Sequence, residues 1–138
     1  MIYVNRFWLS YIWSAVSGDL DDPKLMLKDM NEPENFNTLI QEYLLPSYEN
    51  YKKYQDVSFN RMKSTWKYAI NFYNEEELDR AFESGVPAFS IPSSPRDFYI
   101  KIWNTIFPSE SWEICDKERY VDLENRLIDI YDYEKNDE

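Results

Sequence analysis

The stretch SFNRMKSTWKYAINFY, residues 58–73, carries helical periodicity along its whole length. Phe59, Met62, Trp66, Ala69, Ile70 and Tyr73 recur at spacings of three and four and form one apolar stripe, while Arg61, Lys63 and Lys67 fall outside it. Directly downstream, Asn74 is a good N-cap and Glu75, Glu76 and Glu77 occupy the first turn, where the helix dipole favours acids. Leu78, Ala81 and Phe82 then face inward, and Gly85 ends this second helix.

Working outward, Ser94-Pro95-Arg96-Asp97 is a start signal with serine at the cap, proline first and an acid three residues on. It opens a helix carrying Phe98, Ile102 and Ile106 that ends at Pro108. Tyr120, Leu123, Leu127 and Ile130 with Tyr131 predict a last helix over residues 117–134. Toward the N-terminus, Ser47 begins a helix bearing Tyr48, Tyr51 and Tyr54, and a segment from Asn37 or Thr38 through Leu45 is stopped by Pro46. Asp22-Pro23 opens a short helix through about Met30, and the three-four rhythm of Val4, Phe7, Trp8, Tyr11, Ile12, Ala15 and Val16 predicts another, with Gly18 at its C-cap. Pro87 and Pro92 make residues 86–93 an extended connector. The expected fold is all-α: an irregular, single-domain bundle of about six to eight helices over residues 1–138, with at most one short extended segment near 86–92.

Bulk composition agrees with that picture. The chain has 138 residues, of which 43% are hydrophobic and 18% aromatic. A chain of this size buries roughly 68% of its unfolded surface and needs no metal or disulfide to fold. Only two glycines occur, which argues against hairpin-rich β architectures and phosphate-cradling loops. Cys115 is the single cysteine, so an internal disulfide is impossible and a reducing compartment is expected. Its acidic neighbours Glu113, Asp116 and Glu118 disfavour the reactive thiolate, so it reads as structural. The N-terminal stretch loosely imitates a signal peptide, but Trp8, Ser10, Tyr11, Trp13 and Ser14 make a poor apolar core for one, and it is too short to span a bilayer. A cytoplasmic location without membrane attachment is the expectation.

Histidine is absent, which removes the commonest general base, the Ser-His and Cys-His pairs and the commonest metal ligand together. No zinc site of ordinary composition and no calcium loop can be formed. We therefore expect no enzyme, no catalytic residues, no metal and no cofactor. Lys52, Lys53, Arg61, Lys63 and Lys67 lie among Tyr48, Tyr51, Tyr54 and Trp66, a pattern that imitates base stacking beside a basic patch. With a net charge of −11 the chain repels a phosphate backbone, so those aromatics read as core and direct nucleic-acid binding is not expected.

The charge is lopsided. Residues 1–70 hold eight bases against nine acids, a net of −1, whereas residues 71–138 hold seven bases against seventeen acids, a net of −10. If residues 117–134 are helical, Glu118, Asp122, Asp129 and Asp132 share one face, with Asn125 in the gap. They would form a carboxylate ridge about 20 Å long. Glu75, Glu76, Asp79 and Glu83 make a second cluster. Such a surface steers a basic partner, and Trp112 and Tyr133, flanking the ridge, are the expected aromatic anchors.

In size, acidity, aromatic content and lack of catalytic groups the chain resembles the immunity proteins of bacterial toxin systems, including contact-dependent inhibition systems. No family motif underlies the resemblance, so it assigns no residues. It implies a protein, monomeric when free, that binds a basic toxin nuclease 1:1 and occludes its active or substrate-binding site. The alternatives are a phage-type acidic DNA mimic that inhibits a restriction or defence protein, and a scaffold subunit of a larger complex, which would need a large exposed apolar patch.

Overall fold

A computed structural model describes residues 1–16, 27–84, 89–92, 94–131 and 133. It is mostly helical. A short strand β1 (Ile2–Val4) leads into a 3-10 helix (Arg6–Val16). Five α-helices follow among the described residues: α1 (Pro33–Thr38), α2 (Leu45–Tyr54), α3 (Asp56–Phe72), α4 (Glu75–Glu83) and α5 (Pro95–Ile106). A 3-10 turn (Lys117–Arg119) and strand β2 (Tyr120–Asp122) close the order. No helix among the described residues is long and apolar enough to cross a membrane.

α3 forms where its stripe predicts, and Phe59, Met62, Trp66, Ala69 and Ile70 are all buried. It is the central helix, packed against the 3-10 helix, α2, α5 and β1. The caps hold as well. Asn74 accepts from the Glu77 amide at 2.8 Å while the Glu77 carboxylate accepts from the Asn74 amide at 3.4 Å, a complete capping box. Ser94 accepts from the Asp97 amide at 3.2 Å, with Pro95 first in α5.

The core is aromatic, and its polar edges are satisfied. Trp66 and Trp103 meet edge to face at 5.5 Å, and Trp13 meets Phe82 at 4.9 Å. Each buried indole donates its N–H: Trp8 to the Ile128 carbonyl, Trp13 to the Tyr99 hydroxyl, Trp66 to the Tyr99 carbonyl and Trp103 to the Glu110 carbonyl. Buried Asn5 is equally occupied, since it donates to Thr65 Oγ1 and the Asn125 carbonyl and accepts from the Phe7 amide.

Five α-helices stand among the described residues against the six to eight expected, and several segments differ from their reading. Pro46 does not stop its helix: residues 33–54 run on, with a π segment (Leu39–Leu44) between α1 and α2. The Leu45 amide bonds to the Ile40 carbonyl, five residues back, and this widened turn makes room for a proline that would clash in a regular helix. Of the segment expected as a helix through Met30, residues 22–26 lie outside the described residues and 27–30 are turn and irregular chain. Gly18 and Gly85 also lie outside them, as do 86–88 and 93 of the connector; residues 89–92 form no strand.

The largest correction concerns residues 117–134, which form no α-helix in their described part and are helical only in the 3-10 turn Lys117–Arg119. Tyr120–Asp122 pairs in parallel with Ile2–Val4, in the register Ile2 to Tyr120, Tyr3 to Val121 and Val4 to Asp122. Beyond it the chain turns, with Glu124 at a positive φ of 50°. Asn5, Trp8 and Arg61 bond to the carbonyls of Asn125, Ile128 and Ile130, so these carbonyls face the domain instead of a helical ladder. Leu127, expected in a buried stripe, is 86% exposed.

Candidate functional site

With that helix absent, the carboxylates expected on one ridge separate. Glu118 is exposed in the 3-10 turn. Asp122 is half-buried and turned inward, where Oδ2 accepts from the Tyr73 hydroxyl at 2.9 Å and Oδ1 from the Glu124 amide at 3.1 Å. Asp129 accepts from the Tyr131 amide in a separate turn, and Asp132 lies outside the described residues. The expected anchors are engaged too. Trp112 is half-buried against the core, and its carbonyl accepts from Asn71. Tyr133 packs edge to face on Tyr3, with the Arg61 guanidinium 5.4 Å from its ring.

The second cluster survives in altered form. Glu75 is drawn onto Arg96, whose amide and guanidinium both donate to it. Glu76, Asp79 and Glu83 are exposed along α4. Their spacing of three and four puts them on one face, turned away from the side carrying buried Leu78 and Phe82. Arg80 pairs with Glu76 at 2.8 Å on this solvent side, an interaction worth little in stability.

Beside this row, α4 and the 3-10 helix enclose a cleft of about 290 Å³. Buried Leu9 and Tyr73 form its floor, Ala81 and Ser84 one wall, and Phe7, 44% exposed, the other. Arg6 closes one end. Its guanidinium pairs with Glu77 at 2.9 Å and Glu124 at 2.5 Å, lies 4.0 Å from Asp122 and rests 5.4 Å from the Tyr73 ring centre. One cation thus joins three carboxylates from α4 and the chain around β2. Burial raises the Asp122 carboxyl above its ordinary value, although the hydrogen bonds from Tyr73 and Glu124 and the charge of Arg6 pull the other way. Burial, reinforced by Asp122, also holds the Tyr73 hydroxyl protonated well above the usual tyrosine range.

No family model, curated protein or solved structure matches this chain.

At the cleft Glu77 is in the lining, Asp122 and Glu124 reach it through Arg6 and Glu76 through Arg80: four acids against two bases, a local charge of −2. Among the described residues no group of three or more cysteines or acids is placed to hold a metal ion. The exposed carboxylates Glu76, Asp79 and Glu83 make that face of α4 acidic. Of the basic residues noted in the sequence, Arg61 is buried and Lys63 is half-buried on Glu110, whereas Lys52 and Lys53 are exposed. Sequence reasoning found the α4 acids but missed Arg6, Phe7, Tyr73, Glu77 and Glu124. The available signal was Arg6, a lone cation in an apolar N-terminal stretch.

Proposed function

We propose that this chain is an immunity protein of the cytoplasm, which binds a basic toxin domain 1:1 through the α4 face and covers that toxin's active or substrate-binding site. A nuclease is the toxin class that fits, because a surface built for phosphates is itself cationic. The single observation supporting this is the row Glu76, Asp79 and Glu83, exposed on one face of α4 with Arg80 as its neighbouring base. Such a row accelerates encounter, up to about 10⁸–10⁹ M⁻¹s⁻¹ at low salt.

The test is the association rate with the cognate toxin across a range of salt. It should fall steeply as salt rises, and the double variant Asp79→Lys/Glu83→Lys should associate several-fold more slowly while unfolding at the same denaturant concentration. A rate indifferent to ionic strength would end the proposal. The DNA-mimic alternative asked for carboxylates over a long surface. The α4 row spans seven residues of rise, about 10 Å, which is short for that purpose.

A further inference from the structure

In their described part, residues 120–133 lie against the helices without joining any of them. We infer that this segment is a strap that lifts from the folded helices as one unit, and that its lifting dismantles the Arg6 cluster at the end of the cleft. The inference stands apart from the reading of α4 as a binding face.

The bonding of the strap comes first. Its carbonyls accept from side chains of the helical body: Asn125 from Asn5 at 2.7 Å, Ile128 from Trp8 at 2.8 Å, and Ile130 and Tyr133 from Arg61 at 2.9 and 2.6 Å. Its amides are served from within. Those of Glu124, Leu127 and Tyr131 donate to the side-chain oxygens of Asp122, Asn125 and Asp129, and that of Ile128 to the Asn125 carbonyl. Main-chain pairing runs through β1, where the Leu123 amide donates to the Val4 carbonyl at 2.8 Å. Lifting the strap therefore leaves the ladders of α1 to α5 whole, and the freed donors of Asn5, Trp8 and Arg61 pass to water instead of being stranded.

Burial points the same way. Among the described residues of the strap Ile130 alone is fully buried, while Leu127 is 86% exposed and Tyr131 45%. Segments with so little buried apolar surface open locally, below the free energy of global unfolding. The two ends of the strap are also tied together. Tyr133 packs on Tyr3 and Trp8, and Tyr3 is the β1 residue opposite Val121, so the far end rests on the strand that pairs with the near end. Asp122 and Glu124 travel with the strap, which leaves Arg6 with Glu77 as its ion-pair partner.

Hydrogen exchange on the isotope-labelled full chain in low urea tests this. The Leu123 amide reports the near end of the strap, and the Trp8 indole N–H, held by Ile128, reports its middle. The Trp66 indole N–H, bonded to the Tyr99 carbonyl in the core, reports global unfolding. Leu123 and Trp8 should share one opening equilibrium and one shallow urea dependence, and open on the order of a hundredfold more often than Trp66. Tyr133→Ala, which removes the ring seated on Tyr3 and Trp8, should speed both reporters by the same factor, about tenfold. Arg6→Gln should speed both as well, because its cluster closes with the strap. Trp8 exchanging as slowly as Trp66, with the same urea dependence, would make the segment part of the core and overturn the inference; this comparison needs no substitution. Separate equilibria for Leu123 and Trp8, or a Tyr133→Ala effect confined to Trp8, would show fraying from the end and overturn the single unit. Exchange at both reporters unchanged by Arg6→Gln would overturn the link to the cleft.

Discussion

The guanidinium of Arg61, buried in α3, donates to the carbonyl oxygen of Ile130 at 2.9 Å, and its second terminal nitrogen reaches the Tyr133 carbonyl at 2.6 Å. One planar fork thus fastens the C-terminal segment to the central helix, and the Tyr133 ring lies within cation–π range of it. Arg61→Met keeps the stem but strands the Tyr133 carbonyl and leaves that of Ile130 only the 3.4 Å bond from the Ser58 hydroxyl, so we expect a loss of about 2–4 kcal/mol in urea unfolding. Arg61→Lys should recover less than half, because an ammonium lacks the fork. Amide exchange at residues 128–131 should accelerate in both variants before the rest of the domain is affected. An Arg61→Met midpoint equal to that of the parent would mean that the C-terminal segment contributes no stability.

This fastening also marks where the sequence stopped being legible. α3, α4 and α5 could be read because their signals are local: a stripe from Phe59 to Ile70, a cap at Asn74 with Glu77 three residues on, and Ser94 before Pro95. Residues 117–134 carry an equally helical stripe, yet Tyr120–Asp122 joins a strand at the other end of the chain, and Asn5, Trp8 and Arg61 hold the carbonyls beyond it. Partners more than sixty residues away decide that conformation, and no window of local propensity contains them. The candidate site divides in the same way. Glu76, Asp79 and Glu83 follow from helical spacing alone, whereas the cleft exists only because the 3-10 helix brings Arg6 and Phe7 against α4.

Asn74→Ala removes one half of the capping box and leaves the Glu77 amide without its acceptor. We expect a loss of about 1 kcal/mol in thermal or chemical unfolding, with Asn74→Gly less costly and Asn74→Asp near neutral. Because Glu77 also bonds to Arg6, a larger loss for Asn74→Ala would show that the cap orients that ion pair. A double-mutant cycle with Arg6→Gln separates the two contributions.

Arg6→Gln itself should cost about 1–2 kcal/mol in low salt, since Glu77, Asp122 and Glu124 would then face one another without their shared cation. Salt supplies the check. Raising it from about 0.05 M to about 1 M shortens the screening length severalfold, so the gap between parent and variant should narrow. A gap that stays constant with salt would assign the loss to packing of the guanidinium on the Tyr73 ring.

Asp122→Asn should show the reverse of ordinary acid denaturation. Burial raises the folded Asp122 carboxyl above its ordinary value, so the folded state holds that proton more tightly than the unfolded chain does. Through the window just above about 3.9, the ordinary aspartate value, the parent therefore loses stability from this group as pH rises, and it remains at the lower level above that window. Asparagine does not titrate and still accepts from the Tyr73 hydroxyl, so Asp122→Asn should gain on the parent as pH rises from about 4 to about 7. Urea midpoints of both proteins over that range give the sign directly. If the parent instead gained on the variant, attraction to Arg6 would outweigh desolvation at Asp122, and the Arg6 cluster would be held together chiefly by charge.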